Sequence, residues 1–365
     1  MNGIRVGRIA GIEISLNWSV LVLCTYLTWT LAAEVFAKTN PHLSAQAHLA
    51  MAVAATAGVV LSLLLHELGH AVVARREGME IDGITLWIFG GVARFKRSFP
   101  NGKVELRVAF AGPLVTLVLA ALFTLVALAQ PPQAVAATCA WLGYLNASLF
   151  VFNMLPALPL DGGQVLHALL WLRGHDDLRA MRRAADVGRF FGILFLSAGA
   201  AVALGYDGYT GLWLAITGVF LFQGADAEVQ YAQRRQSLSG VRVRDLMTRT
   251  PVTLDPRLTV HQAVDELALL PRHHAYPVAA DGTPSGLLEA RRLQDVPHWQ
   301  WDERQVTDVM RDLDDVPVLE EDDEAVDAMT ELGSSGSDEA LVVAEGRLVG
   351  VLSLRDLSRA AETRR

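Results

Sequence analysis

The chain has 365 residues and a mass of 39.6 kDa, long enough for two or three domains. Hydrophobic residues make up 52%, charged residues 19%, and the mean hydropathy is +0.31, which excludes a disordered or collagenous chain and exceeds the usual soluble range. The formal charge of −8 is uneven: residues 1–225 hold 15 Lys and Arg against 12 Asp and Glu, whereas 226–365 hold 16 against 27, an acidic balance that argues against a nucleic-acid partner.

Two cysteines, Cys24 and Cys139, both in apolar runs, exclude a disulfide scaffold and a cysteine-based zinc site. The first apolar stretch is too long for a cleavable signal peptide. Apolar stretches at about 15–37, 48–74, 104–130, 135–170, 188–205 and 209–225 read as six membrane helices, most reaching the ~20 residues that cross a bilayer. The fourth is overlong and holds Pro156 and Pro159, so it should break inside the bundle. The last two are short and glycine-rich.

With the N-terminus in the cytoplasm, the inner segments 1–12, 75–107, 171–189 and 226–240 carry 16 Lys and Arg, and the outer loops carry only Lys38. That asymmetry predicts six crossings with both termini cytoplasmic. The segment 80–97 is apolar and β-prone around Gly90 and Gly91. It reads as a small hairpin or re-entrant element on the cytoplasmic side, or as an amphipathic surface hairpin.

The second apolar stretch contains His66-Glu67-Leu68-Gly69-His70. Residues four apart share a helix face, so His66 and His70 can grip one ion while Glu67 reaches water beside it. This is the H-E-x-x-H pattern of zinc hydrolases, in a segment where ionisable groups are costly unless they coordinate something. The alternative is polar packing within the bundle. If Arg75 marks the inner interface, the two histidines lie about 8–14 Å into the membrane, and water must arrive from the cytoplasmic side. A hydrolytic zinc site wants three protein ligands. Asp161, in Asn153-Met-Leu-Pro-Ala-Leu-Pro-Leu-Asp161-Gly-Gly163, is the candidate third, its glycines permitting unusual dihedrals. A helix N-cap is a second role for Asp161. His167 is a rival ligand that lies beyond the break. His48 lies about 27 Å of helix from His66 and cannot join the site.

HELGH together with NMLPALPLDGG resembles the site-2 protease family of intramembrane zinc metalloproteases, over roughly residues 1–225. Phe89-Gly90-Gly91 resembles the family's membrane-associated hairpin and Ala111-Gly112-Pro113 its A-G-P segment, although Thr116 stands where the family often has Asn. The resemblance implies one zinc per chain held by His66, His70 and Asp161, with Glu67 as general base and proton donor. It also implies Asn153 as a substrate or oxyanion contact. Substrates are then membrane-anchored or membrane-associated proteins, such as regulators of transcription, and the location is the cell membrane. A substrate helix has to unwind before cleavage, and the 80–97 segment could hold the unwound strand by edge pairing.

After a short polar linker, 226–240, two copies of one pattern follow at a period of 63–64 residues, with Met247 matching Met310 and Gly286 matching Gly350. Each copy reads helix, strand, helix, strand, strand, helix, and the two should pack as a pair. They resemble tandem CBS domains, 241–298 and 299–365. This implies adenine nucleotides such as ATP or AMP in the cleft, and association into a homodimer. The family's Gly-x-x-(Ser/Thr)-x-x-Asp segment is present in the second copy as Gly350, Ser353 and Asp356. The first copy has Glu289 and Arg292 at those places, and Glu289 repels phosphate. Ser353 also suits a plain N-cap, and the pair could serve only for packing. His273 and His274 read as surface or strand residues.

The expected architecture is an α-helical polytopic membrane domain with a small β-hairpin, then a soluble α/β CBS pair. The rival readings are a CBS-regulated transporter or channel and a non-catalytic relative of the protease. A transporter has no need of Glu67 between the two histidines.

Overall fold

The computed structural model describes residues 4–9, 11–88, 90–95, 99–174, 176–268 and 274–363. Phe89 and His273 lie outside the described residues. The chain divides into two compact units, Met1–Ala232 and Gln233–Arg365.

The first unit opens with strands β1 (Ile4–Ile9) and β2 (Ile12–Leu16), which are not among the expected elements. Helix α1 (Ser19–Thr30) continues through a π-helical stretch (Leu31–Phe36) into α2 (Ala37–Thr39). Then come α3 (Ala45–Arg76), β3 (Ile81–Trp87), β4 (Gly90–Phe95), α4 (Gly102–Leu128), α5 (Gln133–Asn153), α6 (Asp161–Leu172), α7 (Asp177–Gly205) and α8 (Gly208–Leu238). Six of the described helices are long and apolar enough to cross a membrane: Ser19–Thr39, Ala45–Arg76, Gly102–Leu128, Gln133–Asn153, Asp177–Gly205 and Gly208–Leu238. The expected break falls between α5 and α6, where Pro156 and Pro159 cannot supply helical N–H donors.

The helix starts are capped where the sequence allows. Ser44 accepts from the Ala47 N–H, Asn101 from those of Lys103 and Val104, and Asp176 from that of Leu178. The glycine-rich α7 and α8 pack backbone to backbone. A Cβ at Gly199 would lie 2.5 Å from the Ala215 nitrogen, and one at Gly218 2.4 Å from the Leu196 nitrogen. In lipid, where burial of apolar surface does not drive association, such close approach is what holds helices together. The large residues of the two helices, among them Phe190, Ile193, Leu212 and Trp213, are exposed, and the glycines are kept for the close approach. Both helices also outrun the expected spans, and 226–238, read as linker, continues α8.

The hairpin expected at 80–97 exists as β3 and β4, but it belongs to a four-stranded sheet of order β1-β2-β3-β4. Parallel pairing joins β2 to β3, with Glu13 opposite Gly83 and Leu16 opposite Leu86. The sheet packs on α3 through Ile12, Ile84 and Leu86, which are nearly fully buried, beside Ala71. It therefore sits at the turn of α3 that carries His70.

The second unit holds α9 (Val243–Leu246), β5 (Thr248–Arg249), α10 (Val260–Ala268), β6 (Ala275–Ala280), β7 (Thr283–Glu289), α11 (Ala290–Gln294), β8 (Arg311–Asp312), β9 (Val318–Glu320), α12 (Ala325–Ser335), β10 (Glu339–Ala344), β11 (Arg347–Ser353) and α13 (Leu354–Thr363). Its sheets run β5-β11-β10-β9 and β6-β7-β8, so the first strand of each repeat completes the sheet of the other. The repeated Met and Gly positions explain themselves here. A Cβ at Gly350 would lie 2.6 Å from Met247 Sδ, and one at Gly286 3.0 Å from Met310 Sδ and 2.1 Å from the Arg311 carbonyl oxygen. The swapped strands cross over bare glycine backbone, and neither repeat is complete without the other.

Candidate metal centre

Helix α3 supplies His66, Glu67 and His70, and the first residue of α6 supplies Asp161. His66 and His70 are 6% and 8% exposed, with ring centroids 4.8 Å apart. Their Nε2 atoms are 3.2 Å apart. The Asp161 carboxylate is turned edge-on to both: Oδ2 lies 3.2 Å from His66 Nε2 and Oδ1 3.4 Å from His70 Nε2. Among the described residues, these three form the one group of His, Cys, Asp or Glu whose ligand atoms converge, all within 4.8 Å.

Asp161 does not cap its helix. Leu160 is the N-cap residue and Asp161 lies in the first turn, where the helix dipole favours its charge and leaves its oxygens to the histidines. The adjoining glycines act by clearance, not by left-handed dihedrals. A Cβ at Gly162 would lie 2.3 Å from the Leu155 carbonyl oxygen, and one at Gly163 2.3 Å from the Leu158 nitrogen. Only bare backbone lets 154–160 fold onto the start of α6 and aim Asp161 inward.

The donor set fits a zinc ion. His70 Nδ1 donates to the Val108 carbonyl oxygen of α4 at 2.7 Å, which leaves the Nε2 lone pair facing the group. Ligands at the usual ~2.0–2.2 Å in a tetrahedral array stand about 3.3–3.6 Å from one another. The two Nε2 atoms, 3.2 Å apart, stand close to that spacing, and Asp161 brings one oxygen within 3.2 Å of His66 and the other within 3.4 Å of His70. Three protein ligands leave the fourth position open, the arrangement of hydrolytic sites.

Two glycines shape the centre, and the sequence reading did not see what they touch. A Cβ at Gly112 would fall 2.2 Å from His70 Nε2. One at Gly91 would fall 2.2 Å from Glu67 Cγ and 2.8 Å from its Oε1, so the edge strand β4 lays its backbone against Glu67. Both belong to segments singled out for resemblance, but the contacts join elements distant in sequence.

The remaining candidates fall as follows. Asn153 ends α5, and its partly buried side chain makes no hydrogen bond among the described residues. The Thr116 hydroxyl donates to the Pro113 and Gly112 carbonyl oxygens within α4. His48 bonds the Asn40 carbonyl oxygen, and His167 bonds Glu105 and Asp177; neither joins the converging group. In the second unit Ser353 and Asp356 cap α13 reciprocally. Ser353 Oγ donates to Asp356 Oδ2 at 2.6 Å and accepts from the Asp356 N–H at 3.2 Å, and Oδ2 accepts from the Ser353 N–H. Glu289 pairs with Arg291 at 2.7 Å and with Arg311 at 3.4 Å; the arginines hold its carboxyl below the usual range against the opposing effect of burial. Glu339 is pushed up to about 7 by burial and by Asp338, Asp356 and Glu289.

The model for peptidase family M50 matches residues 54–135 and 130–198, and that for the CBS domain matches 243–297 and 306–363. The chain is similar to "Putative zinc metalloprotease Rip3" of Mycobacterium tuberculosis, 36% identical over 98% of this chain and 92% of that protein. It is also similar to "Putative zinc metalloprotease sll0528" of Synechocystis, 27% identical over 99% of this chain and 96% of the relative. Among solved structures it resembles a site-2 protease from Methanocaldococcus jannaschii at 26% identity and a TM-score of 0.42, over 62% of this chain and 95% of that one.

Proposed function

The chain belongs to peptidase family M50, with two CBS domains in its C-terminal part, and from that premise we propose that it is a zinc-dependent intramembrane protease. It cleaves membrane-anchored or membrane-associated proteins, on the cytoplasmic side of the cell membrane. The observation that carries this reading is the convergence of His66, His70 and Asp161 beside Glu67, inside a bundle of membrane-crossing helices. A transporter has no use for that combination.

His66, His70 and Asp161 hold the zinc, which when bound supplies Lewis acidity to the scissile carbonyl and acidifies water. Glu67 takes the proton of the attacking water and later delivers it to the departing amine nitrogen. Asn153 donates to the oxyanion of the tetrahedral intermediate. The free edge of β4 pairs with the locally unwound substrate and lays it past Glu67, which Gly91 leaves uncovered. Water and substrate enter from the side where the Lys and Arg cluster, which also places both termini in the cytoplasm.

The functional limits are 1–225 for the protease domain and 241–298 and 299–365 for the CBS repeats. In the CBS pair, Ser353 and Asp356 form the nucleotide contacts of the second repeat. The first is closed to phosphate by Glu289, which already occupies Arg291 and Arg311. The pair is also the surface of a homodimer.

Glu67→Gln is the test. It should retain zinc and lose cleavage of a membrane-anchored reporter in proteoliposomes. A variant that cleaves at the wild-type rate removes the mechanism. A wild type that holds no zinc removes the protease reading.

A further inference from the structure

One buried ionisable cluster is not used by the zinc chemistry. His167 lies on α6, six residues beyond Asp161, and is 2% exposed. Its Nδ1 is 2.7 Å from Glu105 Oε1 on α4, and its Nε2 is 3.2 Å from the Asp177 carbonyl oxygen and 3.3 Å from Asp177 Oδ1 at the start of α7. Its ring stacks on Trp171, and Glu228 of α8 faces the same cluster. Ionisable groups buried among membrane helices are expensive and call for a role. Metal binding is not that role, because the two ring nitrogens address opposite sides and these residues do not converge as a ligand group.

The cluster closes a mechanical loop. Glu105 precedes Val108 by one turn of α4, and the Val108 carbonyl oxygen fixes the His70 ring. Gly112, one turn further, lies against His70 Nε2. One face of α4 therefore orients one ligand and also grips the helix that carries another. Beside the grip, Gly102 brings α4 and α6 together: a Cβ there would lie 2.9 Å from the Ala168 carbonyl oxygen. The path Asp161–α6–His167–Glu105–α4–Val108–His70 sets the distance between two metal ligands that come from different helices.

We propose that His167 is a positioning residue whose contact with Glu105 holds Asp161 in register with His66 and His70. The proposal rests on the reading of these three as a zinc site. The experiment compares His167→Asn with His167→Gln in the full chain in detergent. The Asn amide nitrogen stands near the place of Nδ1 and keeps the Glu105 contact, whereas that of Gln stands near Nε2 and keeps only Asp177. Zinc affinity is read by chelator competition, and coordination by the visible spectrum of the cobalt-loaded protein. The Gln variant should bind zinc about 10–100-fold more weakly and show an altered cobalt band, the size of effect found when a ligand's own outer partner is lost, here transmitted through α4 and α6. The Asn variant should stay near wild type. Equal behaviour of the two variants, or wild-type affinity and spectrum in both, overturns the proposal. A wild type without a tight zinc site instead defeats the underlying reading. Circular dichroism confirms that both variants are folded before they are compared.

Discussion

Replacing Gly112 by alanine separates two physical effects of opposite sign. Gly112 lies inside α4, where alanine is favoured over glycine by about 0.8–1.0 kcal/mol, so helix propensity alone predicts a more stable protein. The new Cβ, however, would lie 2.2 Å from His70 Nε2, where ordinary contact begins at 3.4 Å. The ring must retreat by roughly 1.2 Å, against a tolerance of about ±0.2 Å for a metal–ligand bond. It cannot pivot aside without breaking the 2.7 Å bond from Nδ1 to the Val108 carbonyl oxygen. Gly112→Ala should therefore fold and lose zinc affinity by at least about 100-fold, or ~2.7 kcal/mol. Competition with a chromophoric chelator on the detergent-purified chain measures this. Gly333→Ala in α12 is the control, because nothing lies within 4 Å of its Cβ position. A Gly112→Ala chain with wild-type zinc affinity and intact cleavage would refute the reasoning.

Asp161→Ala should bind zinc far more weakly than wild type while remaining membrane-inserted, since the carboxylate is one of three converging ligands; metal content per chain decides it. Gly91→Val puts methyl groups where Glu67 lies and should abolish cleavage with zinc retained, read by comparing turnover with metal content. Glu339 binds its proton more tightly in the folded state, with a pKa near 7 against 4.5, so its contribution to stability is full below about 4.5 and is lost as pH rises through about 7. Calorimetry should find that Glu339→Gln flattens the fall in unfolding temperature over that window, and an unchanged slope would exclude this group as its cause. ATP and AMP titrated into the cleavage assay should change the rate at no more than one nucleotide per chain, and a flat response would remove nucleotide regulation.

The sequence carried the spans, the motif on α3, the break after α5 and the doubled pattern of the second unit, because each is a local or periodic signal. It did not carry β1 and β2. Their residues, IRVGRI and IEISL, are short; the first falls in the basic inner segment 1–12, and the end of the second merges with the apolar run from about 15. β1 pairs only with β2, while the second partner of β2, β3, lies some 70 residues on, and nothing local announces a parallel pairing of that range. The length of α8 was missed for a related reason. A polar extension of a membrane helix has the composition of a linker, and only the packing of Leu238 at zero exposure shows it is structured. Asp161 was found by chemistry, but the work of its neighbouring glycines was not, since a clearance of 2.3 Å has no signature in sequence.

Helix α4 shows what kind of signal could have exposed the rest. Gly102, Glu105, Val108, Gly112 and Thr116 are all buried, and they recur at intervals of three and four, the spacing of a single helical face. Each has its own contact: Gly102 with α6, Glu105 with His167, the Val108 carbonyl with His70 Nδ1, Gly112 with His70 Nε2, and Thr116 with the carbonyl oxygens around Pro113. The opposite face carries Phe110, Leu114, Leu117, Leu122 and Leu125, all exposed, as expected where lipid is the solvent. In a soluble protein a stripe of small and polar residues marks the outside of a helix. In a membrane the polarity is reversed, because lipid accepts leucine freely while close packing and hydrogen bonds concentrate inward. Read that way, the stripe on α4 identifies the surface against which the metal ligands are set.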